Sequence, residues 1–223
     1  MLFDATLPVV IDVWTHVAAE RRILADFLET LEPADWDVRS LCTEWTVRDV
    51  VAHVAWGPTQ APMERMVVFA KGGFRINRVS AEHARRWGMR TPEQMVTRLR
   101  EIADDRRRPV GITDGHVLAD IVCHDLDIRR PLGRPRPMPP EAFQLTADLM
   151  AGTGWPLDAV FARSPRKSVR GLRLIAQDLV WAHGEGLDVY GTAEALLLAI
   201  TGRPVGRDEL TGPGAALFYE RVR

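Results

Sequence analysis

The segment from Gly115 to Gly133, GHVLADIVCHDLDIRRPLG, constrains this chain more than any other. Within it His116, Asp120, His124 and Asp127 recur three or four residues apart. A helix turns about 100° per residue, so these four fall on one stripe roughly 80° wide. Val117, Leu118, Ala119, Ile121, Val122, Leu126 and Ile128 take up most of the remaining circumference. A helix that is apolar nearly all round is normally buried. Carboxylates and imidazoles buried with it must pair, hydrogen-bond or hold a metal. Asp-x-x-x-His sets an oxygen and a nitrogen donor one turn apart, which suits a divalent ion.

A further donor is His53, on the segment Val47–Trp56, where charged side chains occur only in the first turn. Taken alone, such a histidine is ordinarily a hydrogen-bonded core residue. Taken with Asp120 and His124, it suggests a site. Two imidazoles and one carboxylate leave open positions on a metal, as catalytic sites do, and helical bundles build such sites from inward side chains on facing helices.

His116 stands two turns before His124, about 12 Å along the axis, too far to share its ion, and reads as a helix-start or supporting residue. Asp127, one turn beyond His124, is expected to orient that imidazole or cap a backbone group. Cys123, at the edge of the stripe, reads as a small core residue, and Cys42 falls in a loop-like segment. Trp45 and Trp56 flank the His53 helix and read as core. His16, His83 and His183 read as surface residues. Arg129 and Arg130 close the motif helix, where cations meet the negative end of its dipole.

The chain has 223 residues, 46% of them hydrophobic, and a formal net charge of -1. That is ample for one sizeable core. No basic excess exists to hold a nucleic-acid backbone, so nucleic acid is not an expected partner. Two cysteines are too few for a disulfide framework and fit a reducing cytoplasm. The first residues lack a basic region followed by a cleavage site, and no apolar run is long enough to cross a bilayer. The expectation is a soluble cytoplasmic protein, monomer or homodimer, with small-molecule partners.

Apolar periodicity predicts helices over Pro8–Glu32, Val47–Trp56, Pro62–Lys71, Val79–Trp87, Pro92–Arg107, Asp114–Arg130 and Glu141–Met150, with a short helical piece near Phe161. Thr46 with Asp49 resembles a capping box, and Thr91-Pro92 is a helix start. The segment RPLGRPRPMPP, Arg130–Pro140, cannot continue a helix. After Ser164 short β-like runs appear at Leu172–Ala176, Leu179–Ala182 and Leu187–Tyr190, followed by a helix capped by Thr192. This describes a small α+β part at the C-terminal end.

The run LEPADWDVRSLCTEWTVRDVVAHVAW, Leu31–Trp56, resembles the N-terminal signature of the mycothiol-dependent maleylpyruvate isomerase family, within the DinB-like superfamily of metal-binding helical bundles. ADIVCHDLDIRRPLGRP, Ala119–Pro135, is similar to its second signature, and GTAEALLLAITGRPVGRDELTGPG, Gly191–Gly214, to its C-terminal stretch. The resemblance implies a mainly α fold: a DinB-like up-and-down four-helix bundle over residues 1–163, with a small α+β part over 164–223. It implies a divalent metal, zinc first among the choices, on His53, Asp120 and His124. The family's isomerase has glutamate where this chain has Asp120, one methylene shorter. It also implies mycothiol, a low-molecular-weight thiol, held as thiolate by the metal, acting in cis–trans isomerisation or in thiol transfer to a small electrophile. The ligands alone are equally compatible with a metal-dependent hydrolase that activates water. A non-catalytic binding protein on the same bundle is the third reading.

Overall fold

The structure, a computed structural model, describes residues 12–57, 84–109, 111–154 and 164–221. Helix α1 (Val13–Leu28) opens at Asp12, whose carboxylate accepts the Trp14 N–H at 3.1 Å. It stops at Leu28 and does not run to Glu32. Pro33 forces the residue before it into extended backbone, and Glu32 becomes the cap of a separate 3-10 turn over Pro33–Asp37. The expected start at Pro8 lies outside the described residues.

Helix α2 (Val47–Trp56) has the capping box read from the sequence. Thr46 Oγ1 accepts the Asp49 N–H at 3.3 Å, and Asp49 Oδ2 accepts the Thr46 N–H at 3.0 Å. Of the helices expected over Pro62–Lys71 and Val79–Trp87, only residues 84–87 are described, and those are helical. The piece near Phe161 also lies outside the described residues.

Helix α3 (Pro92–Glu101) starts at Thr91 as expected but ends well before Arg107. The carbonyls of Ile102, Ala103 and Asp105 turn onto the buried Arg21 guanidinium at 2.6, 3.5 and 2.8 Å. A continuing helix would have kept those oxygens for itself. Helix α4 (Asp114–Arg129) is the motif helix, capped by Thr113, and α5 is Pro140–Gly152.

α1 packs on α3 and α4, and α2 packs on the same two, so the four helices close a ring. Leu24, Leu28, Val50, Leu99 and Leu118 fill its core. Truncating any of these leucines to alanine costs about 2–5 kcal/mol.

Beyond the bundle come a single turn, α6 (Pro165–Ser168), and strands β1 (Leu172–Ala176), β2 (Ala182–His183), β3 (Leu187–Gly191) and β4 (Leu210–Thr211). The sheet order is β2-β1-β3-β4. β1 and β3 are parallel, and the two outer pairings are antiparallel. Of the run Leu179–Ala182 only Ala182 is in a strand, joined in β2 by His183, because Leu179 and Val180 lie in the connecting bend with Val180 fully exposed. Gly186, at φ 133°, lets the chain pass β1: a Cβ there would lie 2.1 Å from the Gly171 carbonyl oxygen.

Helix α7 (Ala193–Ile200), capped by Thr192, is buried on nearly every face between this sheet and helices α4 and α5. Helix α8 (Ala215–Arg221) packs on β3. Neither α8 nor β4 is anticipated by the periodicity. No described helix is long and apolar enough to cross a membrane.

Candidate metal centre

The α2 capping box fixes where that helix begins, and hence the face on which His53 stands. The Thr113 cap does the same for Asp120 and His124 on α4. The packing of α2 against α4 brings the three together. His53 Nε2 and His124 Nε2 each lie 3.5 Å from Asp120 Oδ1. One donor atom from each residue falls within 4.8 Å of the others. None is sealed: the side chains are 22%, 35% and 12% exposed for His53, Asp120 and His124. Donors about 2.1 Å from a common ion in tetrahedral array stand about 3.4 Å apart. The 3.5 Å separations are long for hydrogen bonds and right for two ligands sharing an ion.

His124 is held from behind. Its Nδ1 lies 2.8 Å from Asp127 Oδ2. Asp127 is fully buried and takes two hydrogen bonds from Arg203, Nε at 2.6 Å and Nη2 at 2.7 Å. A carboxylate gripped by arginine is ionised and only accepts, so Nδ1 of His124 must donate. That leaves Nε2, turned toward Asp120, as the atom with a lone pair when the ring is neutral.

Cys42 Sγ donates to the same Asp127 oxygen at 3.2 Å and stands 3.9 Å from His124 Nδ1. Cys42, His124 and Asp127 thus form a second donor cluster. The Arg203 guanidinium already neutralises both oxygens of Asp127, which argues against an ion there.

The electrostatics show a site short of positive charge. Burial works against ionising Asp120, but His53 and His124 outweigh it and hold its carboxyl far below the usual range. Burial equally works against a charged His124. The nearby Asp120 carboxylate and the hydrogen bond to Asp127 overcome that and raise it well above the ordinary histidine value. The donor types and their spacing fit a divalent ion.

His116 stays outside the cluster, against its N-cap, with Nδ1 2.6 Å from Thr113 Oγ1. Cys123 is buried, as expected of a core residue. His16 is partly buried, His183 sits 3.2 Å from Asp148, and His83 is outside the described residues. Arg129 does more than meet a dipole: it is buried, pairs with Asp125 at 2.7 Å and lies over the Phe27 ring.

The residues that sequence reading missed are Arg203, Cys42 and Asp125. Asp125 carried a signal, since a carboxylate inside an apolar helix requires a cation. Arg203 carried none, being 76 positions from Asp127. Trp45, expected simply as core, touches both imidazoles, with ring centroids 5.0 Å from His53 and 5.9 Å from His124.

Residues 17–114 match the family model described as Mycothiol maleylpyruvate isomerase N-terminal domain. Over that stretch the chain is similar to the N-terminal domain of that family. The matched stretch runs from within α1 through α3, with His53, and stops before Asp120 and His124. Two solved structures extend the likeness. A crystal structure of the mycothiol-dependent maleylpyruvate isomerase aligns at TM-score 0.56 and 16% identity, covering 91% of this chain and 92% of that one. A histidine-to-alanine mutant of the isomerase aligns at TM-score 0.55, with the same identity and coverage. At this identity they establish the fold alone, over 91% of the chain. No curated protein matches the chain.

Proposed function

We propose that this protein is a metal- and mycothiol-dependent enzyme that isomerises a small unsaturated substrate or transfers the thiol to a small electrophile. One observation carries the reading: two imidazole nitrogens converge at 3.5 Å on one carboxylate oxygen, in a fold shared with a mycothiol-dependent isomerase. His53, Asp120 and His124 would hold a divalent ion, zinc being the first choice for two nitrogens and an oxygen. Such an ion supplies the positive charge that keeps a thiol ionised, and the thiolate is the nucleophile.

The chain's own residues supply the rest. Asp127 fixes the His124 tautomer so that Nε2 faces the site. Arg203 keeps Asp127 ionised. Trp45 closes one side of both rings. Asp120, one methylene shorter than glutamate, ties its oxygen closer to α4.

The test is elemental analysis of purified wild type, His53→Ala and His124→Ala, followed by assays of maleylpyruvate isomerisation and of conjugation to a small electrophile, each with and without mycothiol. Near-stoichiometric metal in the wild type, lost from both variants, with turnover only when thiol is present, is the expected result. Release of a hydrolysis product without thiol would favour metal-activated water instead. No metal after reconstitution would leave the three residues as a part-buried polar network in a binding protein.

A further inference from the structure

The turn that leads into α2 is locked before any ligand arrives. The Trp45 N–H donates to the Cys42 carbonyl at 2.9 Å, and the Trp45 carbonyl accepts from Ser40 N and Ser40 Oγ, both at 3.0 Å. Leu41 N–H donates to the Asp127 backbone carbonyl at 3.2 Å, which docks the turn on α4. Trp45 is thereby held against two separate helices. Its ring stacks on His124 of α4 at 27° and leans on His53 of α2 at 47°, while the two imidazoles meet edge to face at 5.0 Å. It is 8% exposed. A flat, rigid side chain with two χ angles, anchored at its backbone and touching both imidazoles, restricts the rotation of each.

We propose that Trp45 is a positioning residue for the metal centre, bracing His53 and His124 in one mutual geometry so that an ion finds its ligands already ordered. The inference rests on the proposed metal site. An imidazole free to rotate must be ordered when the ion binds, and that cost comes out of the affinity. Groups that orient ligands without touching the ion typically matter by about 10- to 100-fold in affinity. A Trp45 that merely filled space would be replaced without loss of affinity by any apolar side chain that keeps the fold.

The experiment compares wild type, Trp45→Phe and Trp45→Leu for binding of cobalt(II). Affinity is taken by competition with a chromophoric chelator, and geometry from the visible absorption of the bound ion. Thermal melts of the ion-free proteins confirm folding. Wild type and Trp45→Phe are expected within about threefold of one another, with Trp45→Leu about 10- to 100-fold weaker and altered in spectrum. Folded Trp45→Leu that matches wild type in affinity and spectrum would overturn the inference while leaving the metal site standing. Wild type that binds no cobalt would overturn both.

A second measurement does not depend on the leucine variant folding. In protein labelled with 5-fluorotryptophan, the fluorine resonance missing from Trp45→Phe identifies Trp45. It is expected to move on saturation with zinc, and a resonance that stays put would overturn the inference.

Discussion

Arg203 holds Asp127 by two hydrogen bonds, 2.6 and 2.7 Å long, and Asp127 in turn holds the Nδ1 edge of His124 at 2.8 Å. A residue just past α7 therefore governs the orientation of a candidate ligand on α4. Burial opposes the Asp127 charge, but the guanidinium and the His124 ring outweigh it and keep the carboxyl well below the usual range.

Breaking this pair is expected to be costly. Asp127→Asn or Arg203→Met each leaves a buried partner uncompensated, a loss of about 3–5 kcal/mol. The double variant should lose less than the sum of the two, as read by urea unfolding of the ion-free protein. The folded pKa of Asp127 lies below the unfolded value of about 3.9. Its contribution is thus present above that pH and is lost only as the pH falls through the folded value. Additive single variants would show that the two residues do not act as a pair.

Glu20 titrates with the opposite sign. It is buried beside Arg136, which also binds Asp125 at 2.8 Å. Burial pushes the Glu20 carboxyl up, and Arg136 offsets this only in part. A raised carboxyl contributes stability below its unfolded pKa and loses it as the pH rises through the folded value. Glu20→Gln does not titrate, so it should gain on the wild type as the pH rises above the unfolded value of about 4.3 toward the raised folded value. Unfolding free energies at several pH values decide this. A wild type that gains on the variant over that range would show that the ion pair outweighs burial.

The two cysteines should differ sharply toward a thiol reagent. Cys123 is 5% exposed, and burial pushes its thiol up to about 11. Cys42 is half-buried on a loop. At pH 8 the native protein is expected to release about one equivalent of chromophore from a disulfide reagent, and two once unfolded. In Cys42→Ser the native release should vanish. Rapid reaction of Cys123 in that variant would contradict its burial.

The helix caps were legible because each is written within four residues: Thr46 with Asp49, Thr91 with Pro92, and Thr192 before the run of alanines and leucines. The candidate donors were legible for a related reason. An acid and a histidine one turn apart on an apolar helix carry their own geometry, and His53 shares that surrounding. The ends of α1 and α3 were misjudged because apolar periodicity continues past the point where other groups claim the backbone. Pro33 and Arg21 ended those helices.

The sequence by itself thus determined the main described bundle helices, the caps at Thr46, Thr91 and Thr192, and three side chains to consider as ligands, because those properties depend on neighbours in the chain. Only the tertiary structure decided that His53 and His124 converge at 3.5 Å on one oxygen, that Arg203 secures Asp127, and that Trp45 covers both imidazoles. Those relations join residues tens of positions apart, and helix packing, not local periodicity, sets the distance between them.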